Sequence, residues 1–194
     1  MFKKIAIPPS LLRSFIEQKK LPGTVSFLHF LRRKQYLQDF YSACKRGAYA
    51  LPQRERPSEK ILFHGSPKAQ AALVPNASVG AGDRTERNAL VYATDDPNYA
   101  IFLAVLHLKN GSAGVSAARK NSILTVDLDF VNGPSKLKNG YVHIVSGDLF
   151  KKTKNKEYKT DKPVPVLFSI RVTPQDLTVP ICIQTSTQSI SRGS

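Results

Sequence analysis

Cysteine is scarce in this chain: Cys44 and Cys182 stand far apart and belong to no Cys-x-x-Cys or Cys/His cluster, which excludes a disulfide framework and a zinc-finger spacing. A reducing, cytoplasmic (intracellular) location fits that usage. No apolar run approaches the roughly 18 residues of a membrane span, and none of signal-peptide length precedes Pro8-Pro9, so the expected protein is soluble, unprocessed and without a membrane partner. Internal repeats are absent too. Acidic residues are few, 14 against 29 Lys and Arg, leaving a formal net charge of +15. Such an excess points to nucleic acid or another polyanion, because Lys and Arg that neutralise phosphates release counterions. Solubility alone is the competing explanation for it.

What is present suits a globular protein: 41% hydrophobic residues, with 10 Phe and 7 Tyr as bulky packing groups. At 194 residues the chain accommodates one domain with an appended segment, not two full-sized domains. The appended segment is the N-terminal 1–50. Leu11, Leu12, Phe15 and Ile16 follow Ser10, a plausible N-cap, and Lys19 to Gly23 stops this first helix. Thr24 can cap a second, in which Leu28, Leu31, Leu37 and Phe40 share a face while Arg32, Arg33, Lys34, Lys45 and Arg46 make another part basic. This basic helical arm suits packing on the main domain better than groove reading. Residues 51–59 read as a proline-bounded linker, and the main domain as 60–184.

Beyond Lys60 the helical period gives way to short apolar runs: Ile61 to Phe63, Leu90 to Tyr92, Ile123 to Leu128, Gly140 to Val145 and Val164 to Val172. One helix, from Pro97 to about Leu108, interrupts them. Asp95-Asp96 before it suit a helix start, by capping and the helix dipole, better than a metal site. Residues 76–88 read as a surface loop, and Gly80-Ala81-Gly82 within it lacks the setting and the Gly-Lys-Ser/Thr ending of a phosphate loop. Residues 185–194 read as a mobile tail. The pattern is α+β with a mainly antiparallel or mixed sheet.

Three segments carry chemistry. In Leu62-Phe63-His64-Gly65-Ser66 a strand ends on a histidine, a glycine that admits close backbone approach, and a hydroxyl. Alone, that tripeptide more often marks a strand-end histidine held by a local hydrogen bond. Tyr92 ends the next strand, where an aromatic can wall a flat slot, although core packing is the commoner fate of such a tyrosine. Glu157 is the sole acid between Lys151 and Lys159, and a solvated acid relieving like-charge repulsion would read the same way. His107 and His143 lie in apolar contexts and read as core or edge histidines, and His29 is uninformative.

Taken together and in this order, Phe63-His64-Gly65-Ser66, Val91-Tyr92-Ala93-Thr94 and Asn155-Lys156-Glu157-Tyr158 before Pro165 to Val172 resemble the ADP-ribosyltransferase superfamily. The branch is the His-Tyr-Glu one typified by poly(ADP-ribose) polymerases, in a compact bacterial-type form, and the resemblance spans about residues 60–177. Two departures stand out: Lys156 separates Asn155 from Glu157 where the polymerases have them adjacent, and a short spacing leaves Tyr99 and Phe102 as rivals for the second stacking ring.

The resemblance implies a split β-sheet core of two small packed sheets and a glycosyltransferase chemistry: cleavage of the nicotinamide–ribose bond of NAD, with transfer of ADP-ribose to a macromolecular acceptor. NAD is then the substrate, and no metal is needed. His64 would contact a ribose or the nicotinamide side, Gly65 the carboxamide through its backbone, Ser66 a ribose, and Tyr92 would stack on nicotinamide. Glu157 would stabilise the oxocarbenium-like species and orient or deprotonate the acceptor. Nucleic acid or a protein associated with it is the first expectation for that acceptor. The alternatives are an NAD glycohydrolase, a non-catalytic nucleic-acid- or protein-binding module on the same fold, and a structural basic protein without a small-molecule site.

Overall fold

Apolar alternation along two long strands sets the architecture. The computed structural model describes residues 6–46, 60–75, 89–106, 124–127, 137–153 and 157–184. The expected linker, the 76–88 loop, His107, Asn155, Lys156 and the C-terminal tail lie outside these. Three helices, α1 (Pro9–Gln18), α2 (Thr24–Leu31) and α3 (Lys34–Arg46), precede β1 (Ile61–Ser66), β2 (Ala72–Leu73), β3 (Val91–Thr94) and α4 (Pro97–Val105). Then come β4 (Leu124–Asp127), β5 (Gly140–Ser146), β6 (Lys151–Lys152), β7 (Glu157–Thr160), β8 (Val164–Val172) and β9 (Ile181–Gln184). Seven strands form one antiparallel sheet in the order β2-β8-β5-β1-β3-β7-β6, and β4 pairs in parallel with β9. The chain is therefore α+β.

Side chains alternate across this sheet. Phe63, Val142, Ile144, Phe168 and Ile170 face the helices, where they join Leu12, Phe15, Phe27, Leu28, Leu31 and Phe40 in one buried cluster with Ala100 and Ala104 of α4. Phe40 lies 5.1 Å from Phe168 between ring centroids, and Ile7 donates its backbone amide to Ser169 at 2.8 Å. The segment expected to be an arm thus contributes nearly half of the main core. On the other face Leu62, Leu73, Val91, Ala93, Val145 and Tyr158 form a second cluster.

Local expectations are corrected at the helix starts. The N-cap of α1 is Pro8 rather than Ser10, with no side-chain cap bond and Pro9 in the first turn, where a missing amide costs nothing. The single second helix is two, broken at Arg32–Arg33, with Phe30 stacked on Tyr36 across the break at 4.0 Å. Gly23, at φ 145°, precedes α2, and Thr24 does not cap it. Its hydroxyl instead donates to Asp176 Oδ1 at 2.5 Å, while Asp176 Oδ2 accepts from the Thr173 amide and hydroxyl. Replacing Thr24 by alanine should therefore cost about 1 kcal/mol, the net worth of such a bond. A melting point lowered by about 2–4 °C in a scan of T24A against the unaltered chain is expected for this chain length.

Asp96 does cap α4, its Oδ1 accepting from the amides of Asn98 at 3.0 Å and Tyr99 at 3.5 Å. Buried Asn98 Oδ1 in turn accepts from the amide and hydroxyl of Thr178, both at 3.1 Å, which fixes the start of α4 against the segment leading to β9.

Candidate functional site between β1, β3, β7 and α4

The sheet parts at its centre. β1 and β3 share one register pair, Phe63 with Thr94, and then diverge, whereas β1 pairs along its whole length with β5, and β3 with β7. At the divergence His64 reaches across: its Nδ1–H donates to the Tyr92 carbonyl at 2.7 Å, leaving Nε2 as the unprotonated nitrogen. Two of the sequence-selected residues are thereby in direct contact.

The register Phe63–Thr94–Glu157 forms a row across three strands on the α4 side of the sheet. Glu157, expected just before a strand, is the first residue of one. Its carboxyl is half-buried, and loss of solvent raises its pKa above the usual carboxylate value, with Lys159 opposing. Tyr99, in the first turn of α4, lies near enough for Glu157 to push its phenol up further, after burial has raised it and ahead of Asp96. Tyr92, half-exposed, pairs with Lys159 on this same side. Tyr92, Tyr99 and Glu157 therefore gather on one face.

Phe102 is fully buried against Leu106, so of the two rival rings Tyr99 is the one with exposed surface. Gly65 also faces α4, and a Cβ there would stand 2.1 Å from the Ala100 carbonyl oxygen. The close backbone approach that this glycine permits is made by the helix.

Alternation directs His64 and Ser66 to the opposite side. Ser66 is buried, and its hydroxyl accepts from the Lys68 amide at 3.3 Å and from Gln70 Nε2 at 3.1 Å. The His64 ring stacks on that of His143, centroids 5.9 Å apart and 23° between planes. His143 is a core histidine: its Nε2–H donates to the Lys68 carbonyl at 3.1 Å, and Nδ1 accepts from the Ser169 hydroxyl at 2.6 Å. Both arrangements use neutral rings. Burial is the main reason that both pKa values fall, with His64 also lowering His143, to about 4 from an ordinary 6.5.

A depressed histidine pKa means that the unfolded chain takes up protons which the folded chain refuses, so stability falls as pH drops from about 6.5 towards 4. Glu157, with its raised pKa, acts with the opposite sign around and above its ordinary value. The urea midpoint should decline over that histidine window, and less steeply in His143→Gln; an equal slope in the two proteins would refute the assignment.

Sequence reasoning missed a second chain of contacts. Lys60 Nζ donates to the Tyr158 hydroxyl at 2.5 Å, that hydroxyl donates to Asp95 Oδ2 at 3.1 Å, and Arg32 at the end of α2 stands 3.8 Å from the same oxygen. Of the Asp95-Asp96 pair, then, only Asp96 caps, while Asp95 ties the helices and β7 to the β3–α4 turn. The partners lie 63 residues apart in sequence, and no local pattern signals them. Among the described residues no group of three or more His, Cys, Asp or Glu is placed to hold a metal ion, and no helix is long and apolar enough to cross a membrane. The chain matches no family model, no curated protein and no solved structure.

Proposed function

We propose that this protein is an NAD-dependent ADP-ribosyltransferase whose reacting end lies where β1 and β3 part. The observation that carries the reading is the half-buried Glu157 carboxyl facing Tyr99 on the same side of the sheet as Tyr92. Two phenol rings beside one carboxylate suit a flat, electron-poor ring attached to a ribose that becomes cationic. Nicotinamide would leave with the electron pair of the glycosidic bond, and Glu157 would stabilise the positive charge developing at the ribose carbon. The acceptor would then form its bond at that carbon and give its proton to the same carboxylate. A raised carboxyl pKa brings this base nearer to neutrality.

His64 contributes from the other side of the pleat. Its bond to the Tyr92 carbonyl fixes the edge of the split, and with it the backbone that carries the Tyr92 ring beside Glu157. Ser66 spends its hydroxyl within its own turn, so its part in binding is to shape the loop after β1.

Incubation with NAD, with nicotinamide followed by chromatography, tests the reading. Release coupled to labelling of a macromolecule supports transfer, and release to water alone identifies a glycohydrolase. Binding of NAD without release marks the non-catalytic alternative. Failure both to bind and to turn over NAD with every acceptor offered overturns the proposal.

A further inference from the structure

The corner of the sheet beside Glu157 concentrates positive charge. Between residues 151 and 162 stand Lys151, Lys152, Lys154, Lys156, Lys159 and Lys162 against only Glu157 and Asp161. The fold arranges part of this run in register. Lys151 of the edge strand β6 lies directly opposite Lys159 of β7, and Lys159 opposite Tyr92, so one row on the Glu157 side reads Tyr92–Lys159–Lys151 towards the sheet edge. On the reverse side Lys60 and Lys152 flank the Tyr158 ring, with ammonium groups 3.9 and 5.9 Å from its centroid. Like charges directly opposite on neighbouring strands destabilise a sheet unless an anion shares them. The acids nearby compensate in part: Glu157 faces Lys159, and Asp95 is held by Tyr158 and Arg32. Lys151 and Lys152 are exposed.

We infer that this edge, formed by Lys151, Lys152, Lys159 and Lys60, docks single-stranded nucleic acid, and that the bound strand is the ADP-ribose acceptor. The second clause rests on the function proposed above, and the first does not. Cations on both faces of a two-residue edge strand suit a backbone of evenly spaced phosphates, and a row that runs from that edge to Tyr92 and Glu157 leads a bound strand to the proposed reacting end. In a duplex the bases are stacked away from an enzyme's groups unless flipped out, so an extended strand presents base or ribose acceptors to Glu157 at lower cost. The whole-chain charge of +15 favours the same partner over a neutral one.

The full chain without NAD should bind a fluorescein-labelled 20-nucleotide single strand in anisotropy titrations whose affinity falls with salt. Lys151→Gln with Lys152→Gln should weaken binding about tenfold at low salt and reduce the log–log salt slope by about 1.4, at roughly 0.7 for each phosphate that is no longer neutralised. Removal of the same charge from the end of α3, Lys45→Gln with Arg46→Gln, should change either quantity much less. Equal losses in the two variants, or displacement of the strand by polyglutamate of equal charge as readily as by unlabelled strand, would overturn docking at this edge. Radiolabelled NAD then addresses the acceptor: label on the oligonucleotide supports it, whereas nicotinamide release with a bound but unlabelled strand overturns it. A protein that binds the strand yet releases no nicotinamide fails the proposed function while the docking edge stands.

Discussion

Glu157→Gln should lower the rate of nicotinamide release from NAD by about 10²–10³-fold, the usual loss when one transition-state-stabilising group is removed. Glutamine keeps the shape of the side chain but neither carries the charge that offsets a cationic ribose nor takes the acceptor's proton. The site should otherwise persist. Solvent loss already disfavours the charged carboxyl, so a neutral amide removes a desolvation penalty, and the melting point of E157Q should equal or exceed that of the parent. The backbone bond from the Thr153 amide to the Glu157 carbonyl, 2.8 Å, is untouched. Kinetics should show kcat reduced with KM for NAD within a few-fold, because the ring stacking proposed for Tyr92 and Tyr99 would be common to ground and transition states. A rate within threefold of the parent would remove Glu157 from the chemistry.

Gly65→Ala and Gly140→Ala should each destabilise the fold by about 3 kcal/mol or more, at the upper end of overpacking costs. A Cβ at 65 would lie 2.1 Å from the Ala100 carbonyl oxygen and 2.7 Å from the Ala104 nitrogen; one at 140 would lie 2.0 Å from the Ala104 carbonyl oxygen. These are backbone atoms, and no rotamer change relieves them. Helix α4 would have to lift from β1 and β5. At about 2–4 °C per kcal/mol for a chain of this size, each melting point should fall by about 6–12 °C or more. NAD turnover should suffer as well, since α4 carries Tyr99. A shift below 2 °C in either variant would show that α4 has slack on the sheet.

These glycines mark the boundary of what was legible. Gly65 was visible as a position needing close approach, but the approaching group is a helix 35 residues further on, and nothing local distinguishes a carbonyl of Ala100 from a ligand. Long apolar runs were readable: Gly140 to Val145 and Val164 to Val172 became β5 and β8, and Asp96-Pro97 announced α4 through its cap and first-turn proline. β2 and β6, two residues each, exist only because β8 and β7 offer partners. Side-chain alternation fixed the two faces of β1, but which face would meet α4 depends on pairing with distant strands. Order along the chain therefore grouped His64 with Glu157, whereas register puts Tyr99 and Tyr92 with Glu157 and His64 with His143.

The aromatic faces of α1, α2 and α3 leave the ribosome early, yet Phe168, against which Phe40 and Tyr41 pack, is made about 130 residues later. At about 5–20 residues per second, that interval is on the order of 6–26 s. Throughout it Phe15, Phe27 and Phe40 cluster with one another, and Phe15 with Phe30, edge to face at 5.0–5.9 Å, without the Phe168 ring that closes the cluster on the sheet. The nascent helices are thus a natural client for a chaperone that holds apolar segments, and truncation before β8 should leave an aggregation-prone stub.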